Sequence, residues 1–132
     1  MIYLIDSDWV IDYLKGIPRA IALLRALVYE GAAISLITYG EIYEGIYGSL
    51  DPGGSEEGSR NFLDEVSVLP LDQPTMRRFA LLRNGLRRAG QPIGDMDRLI
   101  AATALQHDLA LAARNLGHFQ RISGLQLYEQ NK

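Results

Sequence analysis

The sequence predicts an α/β fold: one domain over residues 1–132, built on a central parallel sheet of four to five strands flanked by helices. Three observations lead there. Short apolar runs alternate with segments of helical spacing, most of ten residues or more, and parallel strands need crossovers of about that length. The runs are apolar at consecutive positions, as in strands covered on both faces. A chain of 132 residues, 48% of them hydrophobic, has the size and balance of one such domain.

Each element follows from local signals. Ile2 to Ile5 is an apolar run ending at an acid and reads as the first strand. Asp8 to Lys15 reads as a helix closed by Gly16, and the chain restarts after Pro18 with helical spacing from Ala20 to Tyr29 and Gly31 as a stop. Ala32 to Ile37 is the second strand, and Thr38 opens a helix to about Tyr47. Ser49 to Gly58, with Pro52, Gly53, Gly54 and Gly58, reads as a flexible connection within the domain. Asn61 to Glu65 is helical and Val66 to Leu69 is the third strand. Asp72 caps a long helix with Phe79, Leu82, Leu86 and Ala89 on one face. Asp95 to His107 is a helix, Leu109 to Ala112 the fourth strand, and Leu125 to Leu127 a candidate fifth.

The totals exclude several classes of function. There is no cysteine, hence no disulfide scaffold, thiolate zinc site or thiol chemistry, and the composition fits a reducing cytosol. The N-terminus has no basic segment followed by a long apolar one, and the longest apolar stretches are far short of a membrane span, so a cytoplasmic protein is expected. The net charge of −3 argues against nucleic acid as a partner until its distribution is considered. Between Gln73 and Gly94 stand five arginines, Arg77, Arg78, Arg83, Arg87 and Arg88, and no acid. Acids collect at Asp6-Asp8-Asp12, Glu41-Glu44, Glu56-Glu57 and Asp95-Asp97. Such segregation suits a basic docking face beside an acidic pocket, although a solvated helix face is the preferred reading of the arginines taken alone.

Parallel sheets place their sites beyond the carboxyl ends of the strands. Asp6 directly follows the first strand, Glu41 follows the second by four residues and Asn115 the fourth by three, so all three belong on one rim. Asp97 opens a helix that precedes the fourth strand, and topology alone does not bring it there. Carboxylates about 4 Å apart repel by roughly 4 kcal/mol at an effective dielectric of 20, so a shared rim calls for raised pKa values or a divalent ion. Oxygen donors without cysteine suit a hard ion such as Mg2+ or Mn2+. Each acid has a plainer reading. Thr38-Tyr39-Gly40-Glu41 fits a capping box, the preferred reading of Glu41 from these residues alone. Asp6-Ser7 and Asp95 fit helix N-caps. Asp8 and Asp12 fit a solvated stripe, His107 a helix end and His118 a surface position. Asp95 and Asp97 point about 200° apart on a regular helix, so both face one ion only if Asp95 precedes the helix.

Taken together, four segments resemble the PIN-domain family, and within it the VapC toxins of toxin–antitoxin pairs. They are Tyr3-Leu4-Ile5-Asp6-Ser7, Ile34 to Glu41, Gly90 to Ala104 and Arg114 to Phe119, in family order and covering nearly the whole chain. The third is the most specific. The resemblance implies a Mg2+- or Mn2+-dependent endoribonuclease, an RNA substrate, a VapB-like antitoxin partner and commonly a homodimer. It assigns Asp6, Glu41 and Asp97 as catalytic metal acids, with Asp95 as an additional metal acid. Ser7 and Asn115 are auxiliary: Asn115 stands where the family often has Asp, and Ala113 where it often has Thr. Arg77, Arg83, Arg87 and Arg88 are candidate RNA contacts. With the resemblance, the ligand reading of Glu41 outweighs the cap.

Two other readings compete. Asp6-Ser7-Asp8 after a strand is similar to the DxD of haloacid-dehalogenase phosphatases, but the only lysines are Lys15 and Lys132 and the chain is short for that fold. A catalytically degenerate PIN domain that only binds RNA or a protein is kept open by Asn115 and Ala113.

Overall fold

The computed structural model describes residues 1–88, 90 and 93–129. Ala89, Gln91, Pro92 and residues 130–132, together with the side chains of Leu86, Arg87 and Arg88, lie outside the described residues. The chain order is β1 (Tyr3–Ile5), α1 (Ser7–Leu14), α2 (Pro18–Glu30), β2 (Ala32–Ser35), α3 (Leu36–Tyr47), α4 (Pro52–Glu65), β3 (Ser67–Leu69), α5 (Gln73–Arg88), α6 (Asp95–Gln106), β4 (Ala110–Ala112) and α7 (Leu116–Phe119). The four strands form one parallel sheet in the order β3-β2-β1-β4, as the alternation of strand and helix requires. The candidate fifth strand contracts to one parallel bridge, Leu111 with Leu127, extended by a hydrogen bond from the Tyr128 amide to the Leu111 carbonyl at 2.8 Å.

Period-two alternation divides the core. Ile5, Ala32, Ile34 and Ala112 point into one cluster with Val10, Leu24, Leu27 and Phe62, while Leu4, Ala33 and Leu111 point into the other with Ile100, Ala101 and Phe119. The central strands are therefore mostly apolar because a helical layer covers them on either side, whereas Ser67 and Val68 of the edge strand β3 are exposed. Gly16 at φ +82° and Gly31 at φ +113° close α1 and α2 in conformations that side chains rarely adopt, so the expected stops are real.

Two boundaries depart from expectation. The segment read as a flexible connection over 49–58 enters a helix at Pro52. The Asp51 carboxylate accepts the Gly54 amide at 3.2 Å, and Pro52 sits at the first helical position, where its missing N–H costs nothing. The glycines each lower intrinsic helicity by about 1 kcal/mol. Tertiary contacts offset this: Phe62 is buried, and Tyr43 on α3 donates to the Glu56 carboxylate at 2.6 Å. The second strand also ends at Ser35 rather than Ile37, because the Ser35 hydroxyl accepts the Thr38 amide at 3.1 Å and so caps α3.

Candidate active site

The first strand delivers Asp6 to the carboxyl rim at the point where strand order reverses, with β2 on one side of β1 and β4 on the other. This is where ligands enter open α/β sheets. The Asp6 amide donates to the Ala112 carbonyl at 2.9 Å, which fixes the residue against the end of β4. Its carboxylate accepts the Ser7 amide at 2.8 Å as the N-cap of α1. Cap and site are thus one residue. Asp6 is only 5% exposed. Burial pushes its pKa up to about 7; the Ser7 amide opposes the rise, and the Asp8, Asp97 and Glu41 carboxylates add to it. An acid held this way repels further negative charge and welcomes a cation.

Glu41 reaches the same rim through a chain of hydroxyls. Ser7 Oγ donates to Glu41 Oε1 at 2.6 Å, and Thr38 Oγ1 lies 2.9 Å from Ser7 Oγ. Ser35 Oγ donates to Thr38 Oγ1 at 3.3 Å. Each hydroxyl has one proton, so with Ser7 spent on Glu41, Thr38 must donate to Ser7. The chain is polarised towards the carboxylate: Ser35 to Thr38 to Ser7 to Glu41. The capping box expected from Thr38 and Glu41 does not form. With Ser35 as the cap, Thr38 is the third helical residue and Glu41 the sixth, beyond reach of a cap amide.

Asp97 arrives on the first turn of α6, which topology alone did not place. Its Oδ2 accepts from Nδ1 of His118 at 3.0 Å, and Asn115 Nδ2 lies against the same ring, 3.4 Å from Nδ1 and 3.2 Å from Nε2. Asp95 behaves differently. Gly94, not Asp95, holds the N-cap position, and Asp95 pairs with Arg98, whose guanidinium stacks 5.2 Å from the Phe79 ring centre. The Asp95 charge is already compensated. Asp8 and Asp12, expected as a solvated stripe, both face Arg114, at 3.8 and 2.6 Å.

The structure therefore gathers Asp6, Ser7 and Glu41 by contact, joins Asp97 to Asn115 through His118, and sets Asp97 and Glu41 within electrostatic reach of Asp6. Among the described residues, no three acidic or histidine side chains are gathered closely enough to form a finished metal cage. The donor chemistry nonetheless fits a hard cation: carboxylate oxygens predominate, and the charged neighbours that act on buried Asp6 among the described residues, Asp8, Asp97 and Glu41, are all negative. His118 and Arg114 went unrecognised as rim residues in the sequence. The three-residue step from Asn115 to His118 on one helical turn was the available signal for His118; nothing local marks Arg114 as the partner of Asp12, 102 residues away.

Of the candidate RNA contacts, Arg77 and Arg83 are exposed on α5, whereas the side chains of Arg87 and Arg88 lie outside the described residues. Arg78 is tied to Gln106 on α6 at 3.0 Å. Half-buried Phe79 and Leu82 confirm two of the four expected apolar positions of α5.

Likeness to known proteins runs along nearly the whole chain. The family model described as PIN domain matches residues 3–125. Ribonuclease VapC1 of Haemophilus influenzae strain R2866 is 31% identical over 134 aligned residues, covering 100% of both chains. The tRNA(fMet)-specific endonuclease VapC of Salmonella typhimurium is 29% identical, covering 95% of each. Among solved structures, DNA-bound VapBC from Salmonella typhimurium superposes with a TM-score of 0.88 at 28% identity, over 97% of each chain. No helix among the described residues is long and apolar enough to cross a membrane.

Proposed function

We propose, from the premise that this chain belongs to the PIN-domain family, that it is a Mg2+- or Mn2+-dependent endoribonuclease, the toxin of a toxin–antitoxin pair. It acts in the cytoplasm, is held by a VapB-like antitoxin, and pairs with a second copy of itself. The observation that carries the catalytic reading is the rim itself: buried Asp6, its pKa pushed up to about 7, with Asp97 and Glu41 beside it at the reversal of strand order.

Asp6 and Asp97 would hold the ion, with Glu41 as third acid; Asp95, inside α6 about 200° around from Asp97 and paired with Arg98, is set apart from it, which corrects its expected place as an additional metal acid. When bound, the ion offsets charge on the phosphoryl oxygens and makes a water more acidic. Ser7, at the end of its hydroxyl chain, occupies one oxygen of the Glu41 carboxylate, and the second would serve a water or the ion. Asn115 contributes an amide where an acid would add charge, which favours one ion over two. Arg77, Arg83, Arg87 and Arg88 contact the RNA backbone, supplying affinity and salt dependence but no choice of sequence.

A Mn2+ titration of the purified chain tests the metal reading. Saturation at a hundred times the dissociation constant should stabilise the fold by about 2.7 kcal/mol, several degrees of melting temperature, and RNA cleavage should stop on chelation. A melting temperature indifferent to Mn2+, with cleavage surviving EDTA, rules the proposal out; RNA binding without any cleavage favours the degenerate reading. The basic face has its own test. Reversing exposed Arg77 and Arg83 to Glu should weaken RNA binding and flatten the slope of log affinity against log salt by roughly 0.7 for each phosphate that is no longer neutralised. An unchanged slope would leave these arginines as solubilising groups only.

A further inference from the structure

We propose that His118 is a positioning residue of this rim: it orients the Asp97 carboxylate and thereby sets the affinity of the site for a divalent cation. The inference rests on the metal reading above. A carboxylate only accepts, so the 3.0 Å contact between His118 Nδ1 and Asp97 Oδ2 puts a proton on Nδ1 whether the ring is neutral or charged. Asn115 Nδ2 lies almost equally far from the two ring nitrogens, 3.4 Å from Nδ1 and 3.2 Å from Nε2, so the amide packs against the imidazole without fixing the state of Nε2. The proton on Nδ1 is thus assigned by Asp97 alone. The imidazole commits one oxygen of Asp97 and limits rotation of the carboxylate, leaving Oδ1 to serve a cation.

The anchoring of His118 supports the role. The next residue, Phe119, is 1% exposed and fills the cluster beneath α6, so the ring is carried by a buried neighbour. The pair itself is too exposed to matter for folding. The side chains of His118 and Asp97 are 51% and 30% exposed, and ion pairs at such exposure add little to stability. Groups that orient metal ligands, by contrast, typically change metal affinity by 10- to 100-fold. A pairing negligible for stability and large for affinity is the mark of a positioning group.

Three variants of the full chain separate the possibilities, using free Mn2+ measured by electron paramagnetic resonance at one neutral pH. His118→Ala and His118→Phe should each weaken Mn2+ binding roughly tenfold or more, the second while retaining bulk. His118→Asn, whose Nδ2 stands where Nδ1 stood, should recover most of that affinity. Metal-free melting temperatures should stay within about a degree of the parent, as so weak and exposed a pairing requires. Parental Mn2+ affinity in His118→Ala and His118→Phe overturns the inference, and so does an Asn variant no better than the Phe variant. A parent chain that binds no Mn2+ overturns the metal reading itself and takes this inference with it.

Discussion

Asp6→Asn is expected to stabilise the metal-free protein above pH 7 while abolishing RNA cleavage. The stability gain follows from linkage. In the folded chain, burial chiefly, with Asp8, Asp97 and Glu41 adding to it, moves the Asp6 carboxyl from 3.8 to about 7. An unfolded chain has the ordinary value. Between about pH 4 and pH 7 the folded state therefore binds more protons, and stability falls as pH rises through that window. Above it the full penalty is present: at 1.36 kcal/mol per pH unit, about 4 kcal/mol as an upper figure. Asparagine keeps the oxygen that accepts the Ser7 amide, and hence the cap of α1, but carries no charge to desolvate. Melting temperatures of parent and variant, measured in EDTA from pH 4 to pH 8, should converge at the acid end and diverge by several degrees at pH 8. A constant gap across the range would mean that Asp6 ionises normally. Cleavage should fall by about two orders of magnitude or more if, as proposed above, the charge removed is one that holds the ion.

The same residue shows how far sequence alone could go. Asp6 was legible as a cap and as a rim acid because it ends an apolar strand, and the structure shows it in both places. The sheet and its order follow from strand–helix alternation. The helix from Pro52 was not legible: Pro52, Gly53, Gly54 and Gly58 resemble a loop, and only burial of Phe62 and the Tyr43–Glu56 hydrogen bond outweigh their poor propensity. Asp97 could be named from its motif but not placed, since its position depends on how α6 lies beside α3 and α7. The Asp12–Arg114 pair was invisible because it joins residues 102 apart in sequence. Signals local to one element survive in sequence; those made by packing between elements do not.

Glu41→Gln is expected to remove cleavage with almost no loss of stability. Had Glu41 closed a capping box, glutamine would have filled that role and the variant would be nearly silent. The structure assigns the cap of α3 to Ser35, whose hydroxyl accepts the Thr38 amide at 3.1 Å, and leaves Glu41 a full turn further on. Glutamine can still accept from Ser7 Oγ through its carbonyl oxygen, so the Ser35–Thr38–Ser7 chain keeps its direction and its protons remain paired. What disappears is the negative charge beside Asp6. Removing a charged group that binds the ion or accepts a proton from water costs about 10²-fold or more in rate. Ser35→Ala should do the reverse. It removes the cap of α3 and the first hydroxyl of a fully buried chain, costing about 1–2 kcal/mol, while all three acids remain. Unfolding midpoints and single-turnover cleavage rates of the two variants should therefore cross: Glu41→Gln stable and inactive, Ser35→Ala weakened but active below its melting temperature. Parental cleavage by Glu41→Gln would return Glu41 to a purely structural place at the foot of the hydroxyl chain.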